Sequence, residues 1–539
     1  MRRRIAITMK KGLKTIALFV LVVLTLTAVL SACSDGKGDA DNNASSASAP
    51  DSEASDGYAT SGEPIEGGEI TVGISQDLDS SLDPHEMVAA GTAGTREVLF
   101  NVFEGLLKPD SDGNLTPAVA SGYTVDGTIY TFTLRDGVTF HNGQTVTAED
   151  VVYSIERIAD SSSETTYVSA FSVVTRVEAV DDSTVVIEIE EADPEFIASL
   201  TVAIIPMNYD GQGSAPIGTG PFKFLSYALQ ESLVVEKYED YWGDKAFLDK
   251  VTFKIYSSIE TMIMSLNSGA VDICAHLGTD EVAQLSTDSF DVLEGTMNLV
   301  QALYLNNAEK PFDDVRVRQA LCHAVNVDEI MQVLSNGMGA KVGSSMIPAF
   351  TKYFNADLVG YYSYDPDKAR KLLEQAGYFD GFSMTITVPS NYEPHVNTAE
   401  VIIQQLAAVG IKAVINSVEW TTWYEDTYVG RNYQSTVIGV DAPTPTAQAM
   451  LGRFVTNAPD NFINYSNESY DEIYESARLS ANDAEQVEMY KELQEILAED
   501  AANVYLQDLC DLVAVNRNLT GYEFYPMYVM DLSTVHYVE

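Results

Sequence analysis

Cysteine is scarce in this chain, which has only four among 539 residues. One of them, Cys33, ends an apolar run near the N-terminus, while Cys274, Cys322 and Cys510 are far apart and form no C-x-x-C pair. The spacing therefore indicates neither a zinc site nor a dithiol redox motif. One disulfide plus a free thiol is compatible with these three residues, but the spacing does not say which of them would pair.

Basic residues are also few, 31 against 79 acidic ones, which gives a formal net charge of −48. A surface of this sign repels phosphate backbones, so the composition argues against a nucleic-acid partner. It is typical of a solvated acidic coat that keeps a protein soluble, although such a coat would also concentrate cationic solutes. The content of 46% hydrophobic and 20% charged residues indicates a globular protein, and the length predicts two or three domains.

Motifs for catalysis, cofactors and metals are missing as well. His85-Glu86 begins like the zinc-protease motif H-E-x-x-H, but Ala89 stands where the second histidine is needed. The sequence has no G-x-S-x-G motif, no G-x-x-x-x-G-K-[ST] phosphate loop, and no two of its six histidines at metal-ligand spacing. We therefore expect no enzyme, no cofactor and no metal site.

The N-terminal segment has the pattern of a secretion signal followed by a tether. A basic stretch precedes the uncharged run TIALFVLVVLTLTAVL, which is shorter than the roughly 20 residues of a membrane span, so 1–32 is predicted to be a signal peptide. The tetrapeptide LSAC resembles the bacterial lipobox and predicts a lipid on Cys33. An ordinary signal peptide or an uncleaved anchor is the alternative. Residues 33–65, rich in Ser, Gly, Ala, Asn and Asp, are predicted to be the lipidated cysteine and a flexible linker.

Strand and helix patterns alternate along the rest of the chain. Alternating apolar residues predict strands at 68–74, 128–135, 183–190, 250–256 and 383–389. Start and stop signals predict one helix from Thr147, one between Asp365 and Gly377, and one between Asn397 and Gly410. This alternation predicts the α/β class.

Several sequence blocks, in this order, resemble one family. They are LFNVFEGLLKPDSDGNLTPAVASGY, YTFTLRDGVTFHNGQTVTAEDVVYSIER, PIGTGPFKF with VVEKYEDYWG, NNAEKPFDDVRVRQALCHAVNVDEI and YDPDKARKLLEQAGY. Together they resemble the family 5 extracellular solute-binding proteins, which are the oligopeptide, dipeptide and nickel receptors of bacterial ABC importers. The resemblance implies a periplasmic-binding-protein-like type II clamp with two lobes and an extra third domain, which closes around its ligand.

The resemblance also implies domain boundaries. These are 66–110, 212–302 and 506–539 for lobe I, 111–211 for the extra domain, and 303–505 for lobe II. Strands that cross between the lobes near 303–307 and near Tyr505 are expected to form the hinge.

One acidic residue poses a chemical question. The apolar run 436–440 ends at Asp441, and no Lys or Arg adjoins it in the sequence. A carboxylate in a closed cleft must gain a partner to offset its lost solvation, and a ligand ammonium group would serve. Peptide-binding members of the family hold the peptide α-amino group with an Asp followed four residues later by Pro, and Asp441 and Pro445 keep this spacing. The Trp that usually precedes this Asp is missing, so a solvated loop acid, a helix cap, and the Ala-Pro stretch of nickel-type members remain alternatives.

The resemblance implies further ligand contacts and partners. Ala90 lies in the loop that lines the pocket in relatives, and Trp420, Trp423 and Tyr424 could wall the cleft; a surface loop and core packing are the alternatives. The prediction is a lipid-anchored receptor on the extracytoplasmic face of the cell membrane. It would capture oligopeptides or dipeptides and deliver them to the transmembrane subunits of an ABC permease. The same scaffold with a nickel chelate or another small solute is the second hypothesis, and a surface enzyme or adhesin is the third.

Overall fold

The computed structural model describes residues 63–286, 288–442, 444–480 and 482–538. The predicted signal peptide, Cys33 and nearly all of the predicted linker lie outside the described residues. Within these described ranges, no helix combines the length and the hydropathy that crossing a bilayer requires.

Seven of the described strands form a mixed sheet, which we call the first sheet. In spatial order they are Phe290–Thr296, Cys510–Asn516, Ile273–Leu277, Glu69–Ile74, Lys250–Ile255, Ser232–Lys237 and Phe222–Ala228. The predicted strand at 68–74 is confirmed as the central one, and it pairs in parallel with both neighbours. Successive side chains of a strand point to opposite faces, so Val513 and Val515 enter one core while Leu512 and Ala514 enter another.

Six described strands form the second sheet. In spatial order they are Ala340–Lys341, Asn503–Asp508, Leu299–Leu305, Ser435–Asp441, Ser383–Pro389 and Lys412–Val418. Both faces of this sheet are buried, since Val300 and Tyr304 enter one core while Leu303 and Leu305 enter another. The last residue of the strand Ser435–Asp441 is the acid that the sequence placed at a strand end.

Four described strands form an antiparallel third sheet, with a helix packed on it. In spatial order they are Ala120–Asp126, Ile129–Leu134, Thr184–Ile189 and Val174–Asp181. The helix Ala148–Ala159 begins with the predicted capping box, in which the Asp150 carboxylate accepts the Thr147 N–H at 2.9 Å. Its apolar side chains Val151 and Ile155 are fully buried against the sheet. Two further pairs of short strands are Leu107–Pro109 with Leu115–Pro117 and Leu519–Thr520 with His536–Tyr537.

The remaining described helices connect and cover the sheets. The α-helices are Pro84–Ala90, Ala93–Leu99, Phe196–Ser199, Ile259–Asn267, Thr279–Val282, Val315–Ala324, Val327–Ser335, Pro366–Gln375, Glu393–Ala407, Trp420–Thr422, Ala447–Leu451, Glu468–Leu479 and Asp483–Glu499. A π-helical segment spans Trp423–Val429, and short 3-10 turns lie at Ser169–Phe171, Ala356–Leu358 and Gly452–Phe454. The α/β class is therefore confirmed.

The chain passes between the first and second sheets twice, at neighbouring positions. Met297 and Asn298 join Phe290–Thr296 to Leu299–Leu305, and Leu509 joins Asn503–Asp508 to Cys510–Asn516. In the first sheet the strand before one link pairs with the strand after the other, and in the second sheet the two remaining strands also pair. The two crossings therefore lie next to each other. They stand a few residues from the predicted hinge positions, and the predicted lobe boundaries remain predictions.

A buried carboxylate ties the two crossings together. Asp508 is fully buried, and its Oδ1 accepts the Leu299 N–H at 3.1 Å. Its Oδ2 has no hydrogen-bond partner among the described residues. Burial raises the pKa of Asp508 to about 8, so this group is largely protonated at neutral pH in the folded protein.

The three cysteines after Cys33 are free thiols in the structure. Cys274 and Cys322 are buried in different cores, where burial raises the pKa of both thiols. The disulfide that the sequence left open is not formed among Cys274, Cys322 and Cys510.

Candidate functional site

A cavity of about 820 Å³ lies at the end of the strand Ser435–Asp441, and helices and connecting segments form most of its walls. Its walls include Met87 from the helix Pro84–Ala90, Phe196 from the chain that follows the third sheet, and Asp441 at the end of its strand in the second sheet. Ligand pockets commonly measure about 300–1,000 Å³ and combine apolar walls with a few polar groups. The size and the mixed lining are therefore those of a small-solute site.

Asp441 forms an ion pair across this cavity. Its Oδ2 lies 3.2 Å from Nη2 of Arg96, which is 345 residues away in the sequence, on the helix Ala93–Leu99. Asp441 therefore has a partner within the protein, although no basic residue adjoins it in the sequence. The side chains of Arg96 and Asp441 are 25% and 36% exposed, and pairs so open to water contribute at most about 1 kcal/mol. Oδ1 of Asp441 has no hydrogen-bond partner among the described residues and can accept another donor.

A second guanidinium lies beside the same strand end. Arg453 belongs to the short turn Gly452–Phe454, and its Nη2 lies 3.5 Å from the Asp441 carbonyl oxygen and 3.4 Å from that of Ala449. Charge-assisted hydrogen bonds are usually 2.7–2.9 Å long, so both contacts are weak. Two arginines, Arg96 and Arg453, therefore lie beside Asp441.

Another carboxylate connects two walls of the cavity. Glu195 accepts the N–H groups of Ala447 and Gln448 at 3.2 and 2.9 Å, and the Tyr490 hydroxyl donates to it at 3.3 Å. Asp193 accepts the Gln448 side-chain amide at 2.7 Å. Burial raises the pKa of Glu195, and the hydrogen bonds that it accepts oppose this shift. The chain after the third sheet is thereby joined by hydrogen bonds to the helix Ala447–Leu451, which follows Asp441.

A charged cluster connects the cavity with the sheet crossings. His276 lies between Glu97 and Asp511, with its ring nitrogens 2.9 and 3.1 Å from their carboxylate oxygens. Burial alone lowers the pKa of His276, but these two carboxylates raise it well above its usual value. Tyr528, which lines the cavity, stacks on the imidazole at 4.9 Å. The sequence did not single out this histidine, because its partners come from distant segments.

The aromatic residues predicted to line the cleft lie close to one another, but they lie beside the cavity and do not form its wall. Trp420 and Trp423 stack at 5.2 Å, and Tyr424 lies 6.3 Å from Trp420. Trp423 is buried in the core and donates its indole N–H to the Thr436 hydroxyl at 2.9 Å. None of the three is among the described residues that line the cavity.

The predicted loop around Ala90 is helical in part. Ala90 is the last residue of the helix Pro84–Ala90, whose residues Pro84, Met87 and Val88 line the cavity. The roles of Ala90, Trp420, Trp423, Tyr424 and Asp441 in ligand binding remain predictions.

A cavity of this size, with apolar walls and a few charged groups, is typical of a protein that binds small solutes. Residues 114–462, more than half of the chain, match the family model for bacterial extracellular solute-binding proteins, family 5 Middle. The chain belongs to this family of extracytoplasmic proteins, as the resemblance implied.

Relatives support the same assignment. The glutathione-binding protein GsiB of Salmonella typhi is 28% identical over 468 residues, which cover 83% of this chain and 90% of that protein. Heme-binding protein A of Haemophilus influenzae is 27% identical over 76% of this chain and 82% of its own length. The structure of DppA from Helicobacter pylori with the peptide STSA superposes with a TM-score of 0.77 at 26% identity, covering 88% of this chain and 99% of that one. These relatives are binding proteins, and the fold is the two-lobed clamp that the sequence predicted.

Proposed function

We propose that the protein captures short peptides by their α-ammonium group and delivers them to the permease of an ABC importer. This proposal rests on the position of Asp441, a carboxylate at the edge of the cavity with one oxygen free. An ammonium group on Oδ1 would form charge-assisted hydrogen bonds of about 1.5–3 kcal/mol each. The peptide STSA in the similar DppA supports this class of ligand.

The proposal is consistent with the Arg96–Asp441 ion pair. A carboxylate has two oxygens and about four acceptor sites, so Asp441 can hold Arg96 and an ammonium group at once. The free oxygen keeps the amine within hydrogen-bond reach without requiring Arg96 to move. In the closed arrangement the ligand would contact the elements on both sides of the cavity, which is how a solute favours closure.

Calorimetry with three ligands tests the peptide assignment against the chelate alternative. The wild-type protein is titrated with trialanine, with N-acetyl-trialanine, and with the complex of nickel and histidine. We expect trialanine to bind and the acetylated form to bind at least about tenfold more weakly, because acetylation removes the charge that Asp441 would bind. Binding of the nickel complex alone would contradict the peptide assignment and favour the other hypothesis.

We also propose that a lipid on Cys33 anchors the protein to the membrane, because Cys33 follows the lipobox-like LSA. Two acyl chains suffice for stable anchoring. Mass spectrometry of the N-terminal peptide from membrane-extracted protein is expected to show a diacylglycerol-modified Cys33, with residues 1–32 removed. An intact N-terminus, or cleavage elsewhere with an unmodified Cys33, would contradict the anchor. The Cys33→Ala variant provides the unmodified reference.

A further inference from the structure

One cation in the cavity has no acidic partner. Four basic side chains line the cavity, and three of them, Arg96, Lys108 and Arg478, each form an ion pair with a neighbouring carboxylate. In the described part of the chain, no carboxylate pairs with Arg453. Its charge is balanced only by two main-chain carbonyls, both at long distance.

Most hydrogen-bond donors of Arg453 are also unused. A guanidinium carries five N–H donors in a planar fork. Nε is buried without a partner, and Nη1 donates to none of the described residues. Leaving the donors of a charged group unpaired in a partly desolvated site is costly, so the site favours an anion that supplies acceptors.

The charges at this end of the cavity point the same way. Arg96, Arg453, Asp441 and Asp460, which also lines the cavity, together carry no net charge. A ligand that brought only an ammonium group to Asp441 would leave this group of side chains with one net positive charge. A ligand that also brings a carboxylate would restore the balance, and the planar fork of an arginine matches a carboxylate with two parallel hydrogen bonds.

We propose that Arg453 binds a carboxylate group of the ligand and thereby selects for acids over amides. This inference rests on the proposed function and narrows its substrate class. Because Arg453 contacts the main chain of Asp441 itself, the carboxylate must belong to the same short ligand as the amine. It could be the C-terminus of a short peptide, or an α-carboxylate that shares its carbon with the amine, as in a γ-linked peptide.

Calorimetry with two pairs of probes tests the proposal. The first pair is trialanine and its C-terminal amide, and the second is γ-glutamylalanine and its α-amide. Wild-type protein, Arg453→Gln, Arg453→Lys and the control Arg370→Gln are compared, since Arg370 lies on the exposed side of the helix Pro366–Gln375, away from the cavity. We expect the wild type and the control to bind the free acid at least about tenfold more tightly than the amide in one pair. Arg453→Gln should lose this preference, while Arg453→Lys should keep part of it.

The amide serves as an internal check on folding, because its affinity should be the same for the wild type and Arg453→Gln. The pair that shows the loss identifies which carboxylate Arg453 binds. If Arg453→Gln lowers the affinities for the acid and the amide equally, or changes neither affinity, the proposal is overturned. The proposed function would still stand in that case, provided that the wild type binds the probes. Failure of the wild type to bind any of the four probes would overturn the proposed function and this inference together.

Discussion

Replacing Asp441 with Asn is expected to weaken the binding of a peptide with a free amine by about ten- to 150-fold. Asn keeps the shape of the side chain but removes the negative charge, so the ligand loses a charge-assisted bond of about 1.5–3 kcal/mol. The loss should be aggravated because Arg96, no longer paired, would face the ligand ammonium group. Calorimetry with trialanine measures the effect.

Two controls make this result specific. N-acetyl-trialanine should bind the wild type and Asp441→Asn equally, because removing the amine and removing the carboxylate delete the same interaction. Asp460→Asn removes another acid that lines the cavity and whose carboxylate forms no hydrogen bond to the described residues. Equal losses in Asp441→Asn and Asp460→Asn would show a general effect of cavity charge, and no loss in Asp441→Asn would disprove amine capture.

Replacing Asp508 with Asn is expected to make the protein more stable at alkaline pH. The folded-state pKa of Asp508 is about 8, above the ordinary value of 3.8, so between these values the folded protein binds more protons than the unfolded chain. Its contribution to the free energy of unfolding therefore falls as the pH rises, by up to about 1.4 kcal/mol per pH unit. Asn resembles the protonated acid and does not titrate. The free energy of unfolding of the variant therefore does not fall with pH through this position.

Chemical unfolding at pH 5 and at pH 7.5 measures the difference. The stability advantage of Asp508→Asn over the wild type should grow by about 2–3 kcal/mol between these pH values. Asp244→Asn, on an exposed loop, controls for the loss of a negative charge and should follow the wild type at both. An advantage that does not change with pH would show that Asp508 is ionised in the folded protein.

The sequence predicted much of the local structure because the signals are local. The strands predicted at 128–135, 183–190, 250–256 and 383–389 all occur, shifted by at most a residue or two. The helix predicted from Asn397 instead begins at Glu393, because Pro394 is well suited to the first helical turn. Asn397 therefore lies inside this helix rather than at its start.

The site could be predicted only in part, because its partners come from distant segments. The sequence correctly placed Asp441 at a strand end. Its partner Arg96, however, lies on the helix Ala93–Leu99, which packs against the first sheet rather than the second. Arg453 is twelve residues from Asp441, and only the turn after the helix Ala447–Leu451 brings it back beside that strand end. No periodicity or motif encodes such long-range contacts, whereas each of the sequence blocks that carry the family resemblance is continuous.

A crystal structure of the protein with bound trialanine would show directly whether Asp441 binds the ligand amine. We expect the peptide to fill the cavity with its ammonium nitrogen about 3 Å from Oδ1 of Asp441, while Arg96 stays on Oδ2. A peptide that occupies the cavity with its amine turned away, and Asp441 bound to Arg96 alone, would contradict this expectation.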